Sequence, residues 1–200
     1  MPIDTQTMKA KIRPNRIPET NNLLTLTNRI IFTGIVSILS WSQIAWDYFH
    51  GGVPSHHILH RPDLPGISNW WGAIVIPLVT WFLLNRIKAR IGPNEQQETK
   101  IVLRNAIYGF ASAILFGVLF SVAFSLGSNF TSYMLYGLFI LSFFLPIYRA
   151  EYLLGFVLAM AYTFGGILPI GIGIILTFIF LFTYKVIRTF IIYLFSKVKS

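Results

Sequence analysis

The residues of this chain best suited to chemistry are its four histidines, which all lie between positions 50 and 60. Three of them, His56, His57 and His60, form an HHxxH pattern. On a helical turn, His56 and His60 would share one face and His57 would also neighbour His60. Imidazole groups bind zinc, copper, nickel and iron, and three protein ligands with one water make an open site. These three histidines are therefore candidate ligands of one transition-metal ion, with zinc, copper and iron as the leading candidates.

Other polar residues near the histidines favour a second interpretation, in which the segment binds an ion, a proton-coupled solute or a lipid headgroup. Histidine titrates near physiological pH, and arginine makes bidentate hydrogen bonds to phosphate or carboxylate. The candidate binding residues are Ser40, Gln43, Asp47, His50, Arg61 and Asp63. Together they would form a proton relay or hold an anionic group.

A third interpretation makes the histidine segment a rigid cap without a ligand. Prolines restrict the backbone and glycines permit tight turns, and the segment contains Pro54, Pro62, Pro65, Gly51, Gly52 and Gly66. Against this interpretation, every histidine of the chain is in the segment, and long ordered loops are often functional. The sequence leaves the three interpretations open.

A polar stripe leads into the histidine segment. Thr33, Ser37, Ser40, Gln43, Asp47 and His50 recur at intervals of three or four residues. On a helix they fall within an arc of about 140°. We expect this stripe to face other helices or a wet cavity, because polar side chains are unfavourable against lipid.

The composition is that of a membrane protein. Hydrophobic residues make up 54% of the 200 residues and charged residues only 12%, against roughly 25% charged in soluble domains. Several apolar stretches approach the roughly 20 residues that cross a bilayer. The absence of cysteine excludes disulfides and thiolate sites. The net charge of +9 fits basic residues flanking membrane helices, so no nucleic-acid partner is expected.

The apolar pattern predicts an all-α, polytopic bundle of six transmembrane helices with an ordered outer loop between the first two. The predicted spans cover about residues 24–49, 72–85, 106–126, 131–147, 152–164 and 168–184. Residues 86–104 are predicted to form a charged connection, of which 95–104 could continue as a surface helix into the third span. The third span has a face of small residues suited to close helix packing, namely Gly109, Ser112, Ala113 and Gly117. The last two spans are separated at Gly165 and Gly166, because one uncharged helix over 152–184 would reach about 50 Å across a hydrocarbon core of about 30 Å. The chain then divides into a basic tail (1–22), the transmembrane domain (23–187, with the histidine-rich loop at 50–69) and a second basic tail (188–200) suited to an interfacial helix.

The distribution of positive charge predicts the orientation. With six spans, fifteen of the sixteen lysines and arginines fall on one side, and only Arg61 lies in the histidine-rich loop. Because positive residues concentrate on the cytoplasmic side, both tails are predicted to be cytoplasmic and the loop to lie on the outer face of the plasma (inner) membrane.

Three function classes follow from these features. The leading one is a binding or transport protein with the outer-face site described above. The second is a metal-dependent membrane enzyme acting on a lipid or quinone-like substrate, and the third is a subunit or assembly factor of a larger membrane complex or oligomer. Elsewhere, Arg149 and Glu151 are predicted to pair in an exposed turn, with the alternative that they enter the bundle and bind or gate a ligand. The glycines between 165 and 173 are predicted to serve packing and turning, with a broken helix lining a transport path as the alternative.

Overall fold

The computed structural model describes residues 24–57, 66–91 and 96–198. These residues form an almost entirely helical fold, which confirms the all-α class. The helices are α1 (Leu26–Phe49), α2 (Gly72–Ile91), α3 (Gln96–Ser125), α4 (Phe130–Phe144), α5 (Ala150–Phe164), α6 (Ile167–Phe182) and α7 (Arg188–Val198), with a π-helical turn (Thr183–Ile187) joining the last two. Two three-residue strands, β1 (Ser55–His57) and β2 (Gly66–Ser68), form an antiparallel ribbon after α1.

Among the described residues, four helical stretches are long and apolar enough to cross a membrane: Leu26–Phe49, Asn69–Ile91, Glu98–Ser125 and Ile167–Lys197. α4 and α5 are apolar too, but each has only 15 residues. By length and composition the chain is therefore a helical membrane protein.

The first part of the predicted charged connection after the second helix is wrong, because α2 continues from Asn85 to Ile91. The helix predicted over 95–104 agrees with α3, which begins at Gln96. Leu83, Leu84, Ile87 and Ile91 are all buried. Their three- and four-residue intervals keep one apolar face of α2 against the bundle. Burial along this face, rather than charge, sets the length of the helix.

α5 is the central helix, packed against α2, α3 and α6. Its buried residues include Leu154, Val157 and Met160. Small residues let α3 approach closely, as their spacing in α3 predicts. A Cβ atom on Gly155 of α5 would lie 2.6 Å from the Phe110 carbonyl oxygen of α3. The close contact between α3 and α5 thus depends on the absence of a side chain at this position.

The boundary between α5 and α6 falls at the predicted glycines. Gly165 has a φ of +73°, a left-handed conformation that glycine adopts without steric cost. Gly166 follows it, and a Cβ atom there would lie 2.7 Å from the Cα atom of Gly72 at the start of α2. The turn therefore both reverses the chain and brings the α5–α6 end against the start of α2.

Candidate functional site

The described part of the histidine-rich loop is the β1–β2 ribbon, in which His56 pairs with Ile67 and His57 with Gly66. The helical turn assumed for His56 and His57 is therefore wrong, because these residues lie in a strand with a two-residue period. His60, Arg61 and Asp63 lie outside the described residues. Within the described ranges no group of three or more potential metal ligands occurs. Metal binding by His56, His57 and His60 stays a prediction.

The second strand of the ribbon is fixed to the bundle through Asn69, which is only 7% exposed. Its backbone N–H donates to the Pro54 carbonyl oxygen at 3.0 Å. Its side-chain oxygen accepts a hydrogen bond from the Gly166 N–H at 3.2 Å. One buried side chain thereby ties the loop to the α5–α6 turn.

At the end of α1, His50 and Asp47 occupy different environments. The exposed His50 ring stacks on Trp46 with ring centroids 3.8 Å apart, and its Nδ1 lies 2.9 Å from the Trp46 carbonyl oxygen. Because a carbonyl only accepts, Nδ1 must donate in this contact, which leaves Nε2 as the nitrogen for a ligand. Asp47 is half-buried, and its backbone carbonyl accepts from the N–H groups of His50 and Gly52.

The polar stripe of α1 lies on the half-buried side of the helix, as predicted. Ser40, Gln43 and Asp47 are each partly buried, whereas Ile38 on the opposite side is 63% exposed. The Gln43 amide donates to the Tyr162 carbonyl oxygen of α5 at 3.3 Å. The stripe therefore faces the bundle interior and makes contact with the central helix.

Sequence reasoning missed the inner continuation of this stripe, Arg29. It lies four residues before Thr33 and falls at the centre of the same arc, but it had been counted with the basic flank of the membrane. Arg29 is inside α1 and only 5% exposed. It donates to the Asn85 side-chain oxygen, and its guanidinium carbon lies 5.3 Å from the Trp81 ring centroid. Its position on the stripe was the signal that could have identified it.

A second buried charge group lies near the same end of the bundle. Nη1 of Arg90 donates to both carboxylate oxygens of Glu151, at 2.7 and 2.9 Å. Glu151 is 1% exposed and is in the first turn of α5, where a negative charge is favourable against the helix dipole. The predicted Arg149–Glu151 turn pair is wrong, because Glu151 pairs with Arg90 of α2; the burial of Glu151 agrees with the alternative that this residue enters the bundle.

Arg29 and Glu151 both line a groove of about 350 Å³ between α1, α2, α3 and α5. Most of its walls are aliphatic or aromatic, and they include Phe32, Leu84 and Leu154. The groove is thus an apolar space with a buried arginine and a buried glutamate at its wall, and the glutamate is paired with Arg90.

Comparison with known proteins identifies no relative: no family model, curated protein or solved structure matches this chain. Function must therefore be inferred from the residues and their geometry.

Proposed function

We propose that the chain is an integral protein of the plasma (inner) membrane with six crossing helices, cytoplasmic termini and the histidine-rich loop on the outer face. Two contacts of α5 support counting it as a crossing helix. At its start Glu151 meets Arg90 near the end of α2, and at its end Gly166 meets Asn69 just before α2 begins. α5 thus extends along the length of α2. With α4 and α5 both counted, Arg149 also falls on the cytoplasmic side, in agreement with the positive-inside rule.

Within this topology, we propose that the protein binds and moves an ion, a proton-coupled solute or a lipid headgroup. The observation that carries the proposal is the continuity of the polar face of α1 from Arg29 to His50. At 1.5 Å per residue this face extends about 32 Å, the thickness of a hydrocarbon core. Polar and ionisable residues inside a membrane commonly mark ligand or ion pathways. The proposed outer end of the pathway is formed by Asp47, His50, Arg61 and Asp63.

Purified protein in proteoliposomes tests this proposal directly. A pH-sensitive dye inside the vesicles reports proton flux, and ion-selective dyes report potassium, sodium and chloride. We expect Asp47→Asn to reduce the flux at least tenfold, whereas Ile38→Val, on the lipid-facing side of the same helix, leaves it unchanged. Transport of these ions is rejected if vesicles with wild-type protein leak no faster than empty vesicles.

A second candidate, a subunit of a larger membrane complex or oligomer, is favoured by the C-terminal helix. The continuous helix Ile167–Lys197 has 31 residues, which is about 46 Å and longer than a hydrocarbon core of about 30 Å. In α7, Phe190, Ile192 and Phe195 are 60%, 55% and 73% exposed. Either a partner protein covers these side chains, or α7 lies in the membrane interface. Co-purification in mild detergent with the intact chain, compared with a chain ending at residue 187, distinguishes the two.

A further inference from the structure

Arg29 is a buried cation for which the described part of the chain provides no carboxylate. Its recorded partners are the neutral Asn85 amide and the face of the Trp81 ring. Its Nε atom is buried and has no hydrogen-bond partner among the described residues. Burial of a guanidinium without a counter-charge is costly. This arrangement is the one expected where a bound anion completes the site.

α2 holds the Arg29 head in a fixed environment. Trp81 and Asn85 are four residues apart on α2 and so share one face. The Asn85 amide nitrogen donates to the Trp81 carbonyl oxygen at 2.8 Å, which turns the Asn85 side-chain oxygen toward Arg29. The cation is thus oriented in advance of any ligand.

The nearby carboxylate does not satisfy Arg29. Glu151 accepts two hydrogen bonds from Arg90, and no ion pair joins it to Arg29 among the residues described. Arg29 and Glu151 are the charged residues that line the groove, and the Glu151 charge is already compensated by Arg90, so the positive charge of Arg29 lacks a counter-charge among the described residues. The groove is therefore complementary to a ligand that carries a negative charge.

The rest of the groove is suited to a hydrocarbon chain. It is lined by Ile31, Phe32, Ile35, Leu84, Ile107 and Leu154. Ile31, Ile35 and Ile107 are about half exposed, at 54%, 53% and 47%, and they belong to the apolar outer surface of the helices. In a bilayer this rim would be in contact with lipid, so a ligand would enter sideways from the membrane.

We propose that this groove is a binding site for an anionic phospholipid of the bilayer, with its phosphate on Arg29 and one acyl chain along the groove. Arginine binds phosphate through paired, charge-assisted hydrogen bonds. Arg29 is near the start of α1, just before the apolar part of the helix, so in the proposed topology it lies at the depth of a lipid headgroup. Arg29 also belongs to the polar face of α1 that supports the transport proposal, but it lies at the other end of that face from Asp47 and His50. The lipid site rests on the proposed topology and is measured without transport.

The test measures lipid preference by electron paramagnetic resonance in nanodiscs that contain the full chain. Spin-labelled phosphatidylglycerol and phosphatidylcholine serve as probes, and the immobilised fraction of each gives a relative association constant. We expect the wild-type protein to prefer phosphatidylglycerol and Arg29→Gln to abolish that preference. Arg86→Gln is the matched control. It removes the same charge from an exposed position of α2, next to Asn85, and the variant should retain the preference.

A second variant keeps the test decisive if Arg29→Gln does not fold. Ile35→Trp fills the groove from its exposed rim and leaves Arg29 in place. We expect it to weaken association of labelled phosphatidylglycerol at least threefold. An unchanged preference in Arg29→Gln, an unchanged association of phosphatidylglycerol in Ile35→Trp, or an equal loss of preference in Arg86→Gln overturns the proposal. Release of the labelled lipid by inorganic phosphate, at a concentration equal to that of the label, also overturns the proposal, because a free anion would then be sufficient to occupy the site.

Discussion

Replacing Glu151 by glutamine should destabilise the fold strongly, although the two side chains have nearly the same shape. The substitution removes the charge that Arg90 contacts through one nitrogen at 2.7 and 2.9 Å. Glutamine offers Arg90 only one acceptor oxygen in place of two. Arg90 then loses the negative charge that Glu151 supplies.

The size of the effect can be worked out from this geometry. Two unit charges at such a distance attract by about 6 kcal/mol at an effective dielectric constant of about 20. Most of this attraction is offset by the cost of removing the charges from water, and the Arg90 side chain retains 28% exposure. Breaking a buried pair typically costs 3–5 kcal/mol. Because Arg90 is partly exposed, we expect about 3 kcal/mol for Glu151→Gln, the lower end of that range.

Reversible unfolding in mixed micelles with increasing dodecyl sulfate, followed by far-ultraviolet circular dichroism, measures this loss. A double-mutant cycle with Arg90→Gln isolates the pair, and we expect a coupling free energy of about 2 kcal/mol. Arg149→Gln is the control, because Arg149 is the sequence neighbour with which Glu151 does not pair. A coupling near zero, or a larger coupling of Glu151 to Arg149 than to Arg90, would refute the reasoning.

Three further predictions concern other parts of the structure. Gly155→Ala should destabilise the fold by about 1–3 kcal/mol, because the added methyl group meets the backbone of α3. The control in the same unfolding assay is Gly137→Ala, in which no atom lies within 4 Å of the added carbon. Asn69→Ala should free the β1–β2 ribbon from the α5–α6 turn, since a buried N–H loses its acceptor, and hydrogen exchange in residues 66–71 should accelerate while exchange in α5 does not. If a metal binds the loop, elemental analysis of protein purified without chelators will find near-stoichiometric zinc, copper or iron, and His56→Ala or His60→Ala will remove it; a wild-type protein free of metal eliminates this function.

The helical class and several helix ends could be predicted from the sequence because they depend on local composition. Three features have effects that depend only on nearby residues: the uninterrupted apolar runs, the Gly165–Gly166 break and the small residues of α3. The end of α2 could not be placed by the same logic. Their charges assign Arg86, Lys88 and Arg90 to the connection between the second and third helices. The buried face formed by Ile87 and Ile91 instead continues α2 to Ile91.

The candidate site was only partly predictable for a related reason. Sequence reasoning gave weight to the rare histidines and treated arginines as membrane flanks. A buried arginine is identified by its partners, and the Trp81 and Asn85 partners of Arg29 are more than fifty residues away along the chain. The same is true of Arg90 and Glu151, which are 61 residues apart. Long-range pairs of this kind are not encoded in local spacing.

The shortness of α4 has a consequence for the membrane in which the protein resides. Its 15 residues extend about 22 Å, some 8 Å less than a typical hydrocarbon core of about 30 Å. α5 is equally short but is shielded by its neighbours, whereas Tyr136, Ile140 and Phe144 of α4 are 65%, 62% and 72% exposed. In the proposed topology the lipid beside α4 must compress to match the helix, and such mismatch costs a fraction of a kcal/mol per ångström. The protein should accordingly be more stable in bilayers of short-chain lipids and should be sorted toward thinner membranes.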